Sequence, residues 1–194
     1  MNAGAASEAK VRWLPADFDR LVADLLAAAT GRRLVVLLDG GSGAGKTTLA
    51  TRLRAALTGR LGEVQLVSLD DAYPGWHGLE LASRWVARTI LRPAAPGHPT
   101  WDWQRARTGG WRTVDPGLPI IVEGCGALTP ASAPLASSRL WLARDTATRY
   151  RLAIARDGQG YRPWWDTWAA QEQAHWSANR PWRLADLLIR IDES

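Results

Sequence analysis

Apolar residues at Phe18, Leu21, Val22, Leu25 and Leu26 recur at helical spacing, which predicts a helix between Pro15 and Ala29, ended by Thr30-Gly31. The run Leu34-Val35-Val36-Leu37-Leu38 is apolar without alternation, the pattern of a strand buried on both faces. A glycine-rich loop follows from Gly40 to Gly45. After it Leu49, Leu53, Ala56 and Leu57 predict an amphipathic helix that stops at Gly59. Val64 to Leu69 predicts a second strand, Leu79 to Leu91 a helix, Leu118 to Val122 a third strand and Arg139 to Ala143 a fourth. Asp145 to Arg156 and Pro163 to Asn179 predict helices, and Asp186 to Ile191 a last strand. Strands alternating with helices imply an α/β fold with parallel strands covered on both faces.

Residues 92–113 break this rhythm. Pro93, Pro96, Gly97 and Pro99 make an irregular lead-in, and two short segments, Thr100 to Thr108 and Trp111 to Val114, flank Gly109-Gly110. That dipeptide suits a tight turn, so a small hairpin insertion is expected over about residues 98–115. There is no internal repeat and no linker long enough for a second domain, so residues 1–194 are expected to form a single domain.

Composition narrows the function classes. With 46% hydrophobic and 22% charged residues the chain is ordinary globular material. It has no apolar stretch of membrane-spanning length and no apolar signal core between Met1 and Lys10, so a cytoplasmic protein without membrane partners is expected. Cys125 is the one cysteine and there are three histidines, which leaves no Cys/His zinc cluster. The net charge is +5, but no Arg-rich run accompanies it, so nucleic acid is not an expected partner. Lys10 and Lys46 are the only lysines, and twelve of the sixteen aromatic residues are Trp.

The strongest chemical signal is Gly40-Gly41-Ser42-Gly43-Ala44-Gly45-Lys46-Thr47, directly after an apolar strand and before a helix. This is the full phosphate-binding loop pattern. Glycines let successive N–H groups turn inward, and the helix N-terminus adds positive potential where phosphates sit. Lys46 would reach the β- and γ-phosphates, Thr47 would offer its hydroxyl to Mg²⁺, and Thr48 would extend the nucleotide site. In a chain that uses Arg almost everywhere, a lysine here is informative, because a compact ammonium fits where a planar guanidinium does not.

Three further signals follow. Asp70-Asp71-Ala72-Tyr73 ends the second strand, where ligands gather in open parallel sheets; a carboxylate there can take a proton from an attacking hydroxyl or hold metal water, or simply cap a turn. Glu123 ends the apolar run Ile120-Ile121-Val122, the place of a second metal-side carboxylate. Cys125 beside it reads as a packing residue. Arg149 and Arg156 are seven positions apart and share a helix face, from which two guanidinium groups could close over a transferring phosphoryl group or face solvent.

Together these motifs resemble the uridine kinase-like branch of the P-loop kinases, related to phosphoribulokinase and bacterial pantothenate kinase, over roughly residues 33–160. The resemblance implies a three-layer fold with a five-stranded parallel sheet in the order 2-3-1-4-5, a hairpin over the acceptor site, and an Arg-bearing lid at about residues 145–162. It also implies Asp70 as general base, Tyr73 as a substrate contact, Thr47, Glu123 and Asp70 at Mg²⁺, and Arg149 and Arg156 in the lid. His98-Pro99 looks like the family's His-Pro pair, which with Trp101 and Asp102 would contact the acceptor. Ala72 stands where an aromatic ring is usual, Arg151 does not match the family's extra lid arginines, and Trp101, Trp103 and Trp111 replace a Phe/Asp-rich pattern. The Trp-lined hairpin could stack on a flat group or pack on the sheet.

The expected function is transfer of the γ-phosphoryl group of ATP to a hydroxyl of a small metabolite, with a nucleoside such as uridine or cytidine as acceptor, and assembly as a homo-oligomer is compatible with it. The rival readings are a phosphotransferase acting on an antibiotic or vitamin-precursor alcohol, and an ATP-binding regulator without catalysis.

Overall fold

The computed structural model describes residues 10–14 and 16–191. Pro15, at the expected start of the first helix, and residues 1–9, where no signal core is expected, lie outside that range. In chain order the elements are β1 (Lys10–Leu14), α1 (Phe18–Ala28), β2 (Val35–Gly40), α2 (Lys46–Leu61) and β3 (Gln65–Ser68), then α3 (Leu79–Trp85), which runs on as a wider π turn to Ile90. Strands β4 (Gly97–Asp102) and β5 (Arg107–Thr113) form the hairpin. They are followed by β6 (Ile120–Glu123), β7 (Ser138–Ala143), α4 (Thr146–Asp157), α5 (Trp165–Asn179), α6 (Pro181–Leu184) and β8 (Leu187–Ile191).

The sheet runs β1-β8-β7-β2-β6-β3, and all its pairings are parallel. Counted from β2, five of these strands reproduce the expected 2-3-1-4-5 order. The sixth, β1, was not expected. It pairs with β8 from Lys10 opposite Leu187 to Leu14 opposite Ile191, covering an edge that would otherwise expose unpaired N–H and C=O groups.

The unbroken apolar run of β2 is explained by its two packed faces. Val36 and Leu38 join α1 and α2 through Leu21, Leu25, Leu49, Leu53 and Leu57. Val35 and Leu37 join the opposite layer, with Leu79, Val86, Ile90 and Trp168 from α3 and α5. Successive side chains of a strand point to opposite faces, so both layers draw on the same few strands. Because the strands are parallel, Gly40, Ser68 and Glu123 all end at one edge, and the loops that carry chemistry gather there.

Two boundaries differ from expectation. Helix α2 passes Gly59 and ends at Gly62, whose φ of 79° suits a residue without a side chain. The hairpin does not turn at Gly109-Gly110, which lie within β5; it turns at residues 103–106. There the Asp102 carboxylate accepts the N–H groups of Gln104 and Arg105, at 3.1 and 3.0 Å, a side-chain-made turn that outcompetes the glycine pair. Gly109 is instead needed because a side chain there would strike the Thr100 hydroxyl.

Candidate active site

The loop between β2 and α2 takes the shape the glycine spacing implies. Gly43 and Gly45 have φ of 76° and 99°, backbone that residues with a Cβ rarely adopt. Side chains at Gly41 or Gly43 would also collide with Arg149. Lys46 is buried, and its Nζ donates to the Gly41 carbonyl at 3.0 Å. Burial opposes its charge, but the carboxylates Glu123, Asp70 and Glu172 around it offset this and hold its pKa above the ordinary value. The loop therefore carries a fixed positive charge.

Behind the loop lies a buried polar network. The Ser42 N–H donates to Glu172 Oε1 at 2.5 Å, and Arg149 bridges the Ser42 carbonyl and Glu172 Oε2, each at 3.0 Å. The Arg149 and Glu172 side chains are 5% and 1% exposed. Asp39 accepts from the N–H groups of Gly40, Gly126 and Leu128, and His175 Nε2 lies 3.3 Å away. Asn179 donates to His175 Nδ1, which leaves Nε2 as the N–H facing Asp39. Arg149 is thus not in the lid position implied by the resemblance. It braces the loop from behind, close over the rings of Trp165 and Trp176, whereas Arg156, two turns further along the same face of α4, lines the cleft.

In front of the loop, Glu123 Oε1 accepts from the hydroxyls of Thr47 at 3.0 Å and Ser68 at 2.6 Å. Burial raises the Glu123 pKa and Lys46 pulls it back. Asp70 keeps solvent access at the cleft mouth, yet protein crowds it enough that desolvation raises its pKa against the pull of Lys46 and Arg156. Thr47, Glu123 and Asp70 form a hard-oxygen donor set that fits Mg²⁺. Among the described residues no three His, Cys, Asp or Glu side chains form a metal centre. Cys125 is buried, and desolvation raises its thiol pKa well above the usual value; it donates to Glu172 at 3.2 Å and is no nucleophile.

These groups open into a cavity of about 660 Å³ whose other end is aromatic, walled by Tyr73, Trp76, Trp103, Tyr161 and Trp168. Arg156 lines it too, its guanidinium held on both Asp157 oxygens at 2.8 and 2.7 Å. Trp103 reaches down from the hairpin tip, and its indole N–H donates to the Asp70 carbonyl at 2.8 Å. Trp76 stacks nearly parallel to Tyr161 and to Trp164. A second cavity, of about 690 Å³, continues past Gly43, Gly45, Thr47 and Thr48 toward Arg144. The larger opening between α3 and α5, about 820 Å³, is away from the loop. Its wall groups Ser83, Gln171 and His175 are all bonded within the protein.

Of the expected acceptor contacts, Tyr73 reaches the cleft wall, its hydroxyl donating to the Cys125 carbonyl at 2.8 Å. Trp101 lies half-buried beside Gly75 and does not line the cleft. Asp102 and His98 do not line the cleft. Asp102 builds the hairpin turn and pairs with Arg105, and His98 is fully buried with Nδ1 at 3.0 Å from the Pro99 carbonyl. The residues that sequence reasoning missed are Ser68, Trp76, Trp168, Asp157, Tyr161 and Glu172. Glu172 leaves a trace in the sequence, as a carboxylate on a Trp-rich helix face.

No family model matches the chain, and no curated protein matches it in sequence. Solved structures do. A candidate uridine kinase from Bacillus stearothermophilus aligns over 91% of this chain and 98% of its own, with a TM-score of 0.66 at 22% identity. A candidate fructose transport system kinase from a Silicibacter species aligns over 88% of this chain and 98% of its own, with a TM-score of 0.60 at 20% identity. Added to the strand order and the loop geometry, these likenesses give the chain the same α/β fold as those two structures.

Proposed function

We propose that the protein is an ATP- and Mg²⁺-dependent kinase that phosphorylates a hydroxyl of a small metabolite. The observation that carries this reading is the convergence of Lys46, Thr47, Glu123 and Asp70 at one end of a cavity large enough for a second, non-nucleotide substrate. The loop N–H groups and Lys46 bind the phosphates, and the neighbouring cavity beside Gly45 and Thr48 leaves room for the rest of the nucleotide. Thr47, Glu123 and Asp70 would hold Mg²⁺, which when bound would neutralise phosphate charge. Asp70 accepts the acceptor's proton as its oxygen bonds to the γ-phosphorus and the bond to the β-phosphate oxygen breaks, releasing ADP. Arg156 offsets charge on the group in transfer, while Arg149 acts as a positioning residue for the loop.

The fold likeness points to nucleosides or sugars as acceptors, and alcohols of antibiotics or vitamin precursors use the same machinery. The test is ADP release from ATP and Mg²⁺ across a panel of these alcohols, with Asp70→Asn as control. The proposal expects acceptor-dependent ADP release that Asp70→Asn abolishes, while ATP affinity stays within about threefold. Unchanged turnover in Asp70→Asn, or loss of its ATP binding, contradicts the assignment.

A further inference from the structure

The acceptor end of the cleft is built differently from a site that reads a hydrogen-bonding edge. Five rings wall it, and the polar tips of three of them are engaged inside the protein. The Tyr73 hydroxyl donates to the Cys125 carbonyl, the Tyr161 hydroxyl to Ser42 Oγ at 3.0 Å, and the Trp103 indole to the Asp70 carbonyl. The carboxylates at the rim are also engaged, Asp71 by Arg112 and Asp157 by Arg156. The hairpin residues able to recognise a base edge, His98 and Asp102, do not line the cleft. A pyrimidine buried there would leave edge donors and acceptors short of partners, each at an energetic cost. A flat group with few polar edge atoms would instead gain ring contact against Trp103, which remains 39% exposed at the mouth.

We infer that the acceptor is an alcohol carried on a flat, weakly hydrogen-bonding ring group, which stacks in the aromatic end of the cleft while its hydroxyl points to Asp70. This rests on the kinase reading of the same site and narrows its substrate class away from uridine and cytidine.

The test uses a matched pair with the same ribose hydroxyls: uridine and the C-riboside bearing phenyl in place of uracil. Binding of each is followed by tryptophan fluorescence on the full chain, with Mg²⁺ and a non-hydrolysable ATP analogue present. The phenyl riboside is expected to bind about tenfold tighter than uridine, and Trp103→Ala to erase about tenfold of that affinity without moving the analogue's Kd. Trp103→Phe, which keeps a ring but loses the N–H, should retain binding within about threefold. Uridine binding as tightly as the phenyl riboside, or no binding of the phenyl riboside, overturns the inference. Failure of the kinase reading has a separate signature, since no alcohol, riboside or other, would then draw acceptor-dependent ADP release from ATP and Mg²⁺.

Discussion

The two ends of the cleft are held in opposite ways. At the phosphate end, polar groups are buried and bonded: Ser42, Glu172, Arg149, Asp39 and His175 lock the loop from behind through contacts spanning more than a hundred residues of chain. At the acceptor end, the parts are rings and a two-stranded hairpin whose second strand is exposed throughout. Buried polar networks fix one geometry at high stakes, because a lost partner leaves a desolvated charge. Ring contacts are looser and tolerate change. On the proposed reading, the chemistry of phosphoryl transfer would sit on the rigid end and acceptor selectivity on the adaptable one.

The largest effects should come from the rigid end. Lys46→Ala is expected to lower kcat/KM by about 10³-fold or more and to weaken ATP binding as well, because it removes charge stabilisation of the group in transfer. Asp70→Asn is expected to lower kcat by about 10²–10⁴-fold with little change in ATP affinity, as loss of a general base does. Steady-state kinetics beside nucleotide titration separates the two.

Stability should divide along the same line. Arg149→Ala leaves Glu172 buried without its counter-ion and is expected to cost about 3–5 kcal/mol in urea unfolding. Arg149→Met combined with Glu172→Leu should recover part of that, since an apolar pair replaces a desolvated charge. Trp103→Ala, at the open end, should cost no more than about 1 kcal/mol. If the two single variants cost the same, the contrast between the ends fails.

The pH dependence follows from Asp70. Crowding by protein raises its pKa, so the acid limb of kcat/KM should be displaced upward from that of a free aspartate. Arg156→Ala removes a charge that lowers this pKa and should move the limb further up. For stability the sign is reversed from a salt-bridged carboxylate. A group whose folded pKa is raised destabilises the fold as pH climbs from its unfolded value, about 3.9, through the folded one. Asp70→Asn should therefore leave the neutral-pH Tm unchanged or higher, and a fall would show that Asp70 supports the fold.

The smallest effect belongs to Trp111, 49% exposed on the hairpin away from the cleft. Trp111→Ala should change stability by less than about 0.5 kcal/mol and leave the acceptor KM unchanged.

How much of this was legible in the sequence also tracks the two ends. The loop is readable because its glycines and Lys46 act over eight consecutive residues, and the strand alternation behind it is equally local. Strand β1 has only five residues, and its place depends on the free edge of β8. The turn at residues 103–106 lost out in the sequence to the louder Gly109-Gly110 signal, because Asp102 makes it through a side chain. Arg149 was legible as important but not in its orientation, which is set by Glu172 on α5, 23 residues away. Of the aromatic wall, Trp103 was readable as part of a Trp-lined hairpin that could stack on a flat group, whereas Trp76 and Trp168 come from separate segments that meet it only when folded.

The most direct test of the central claim is ³¹P NMR of the protein with ATP, Mg²⁺ and pooled nucleosides, sugars and aryl ribosides. The expected result is a phosphomonoester resonance growing one-for-one with ADP, absent in Asp70→Asn. ADP accompanied by inorganic phosphate alone, or no consumption of ATP at all, would contradict it.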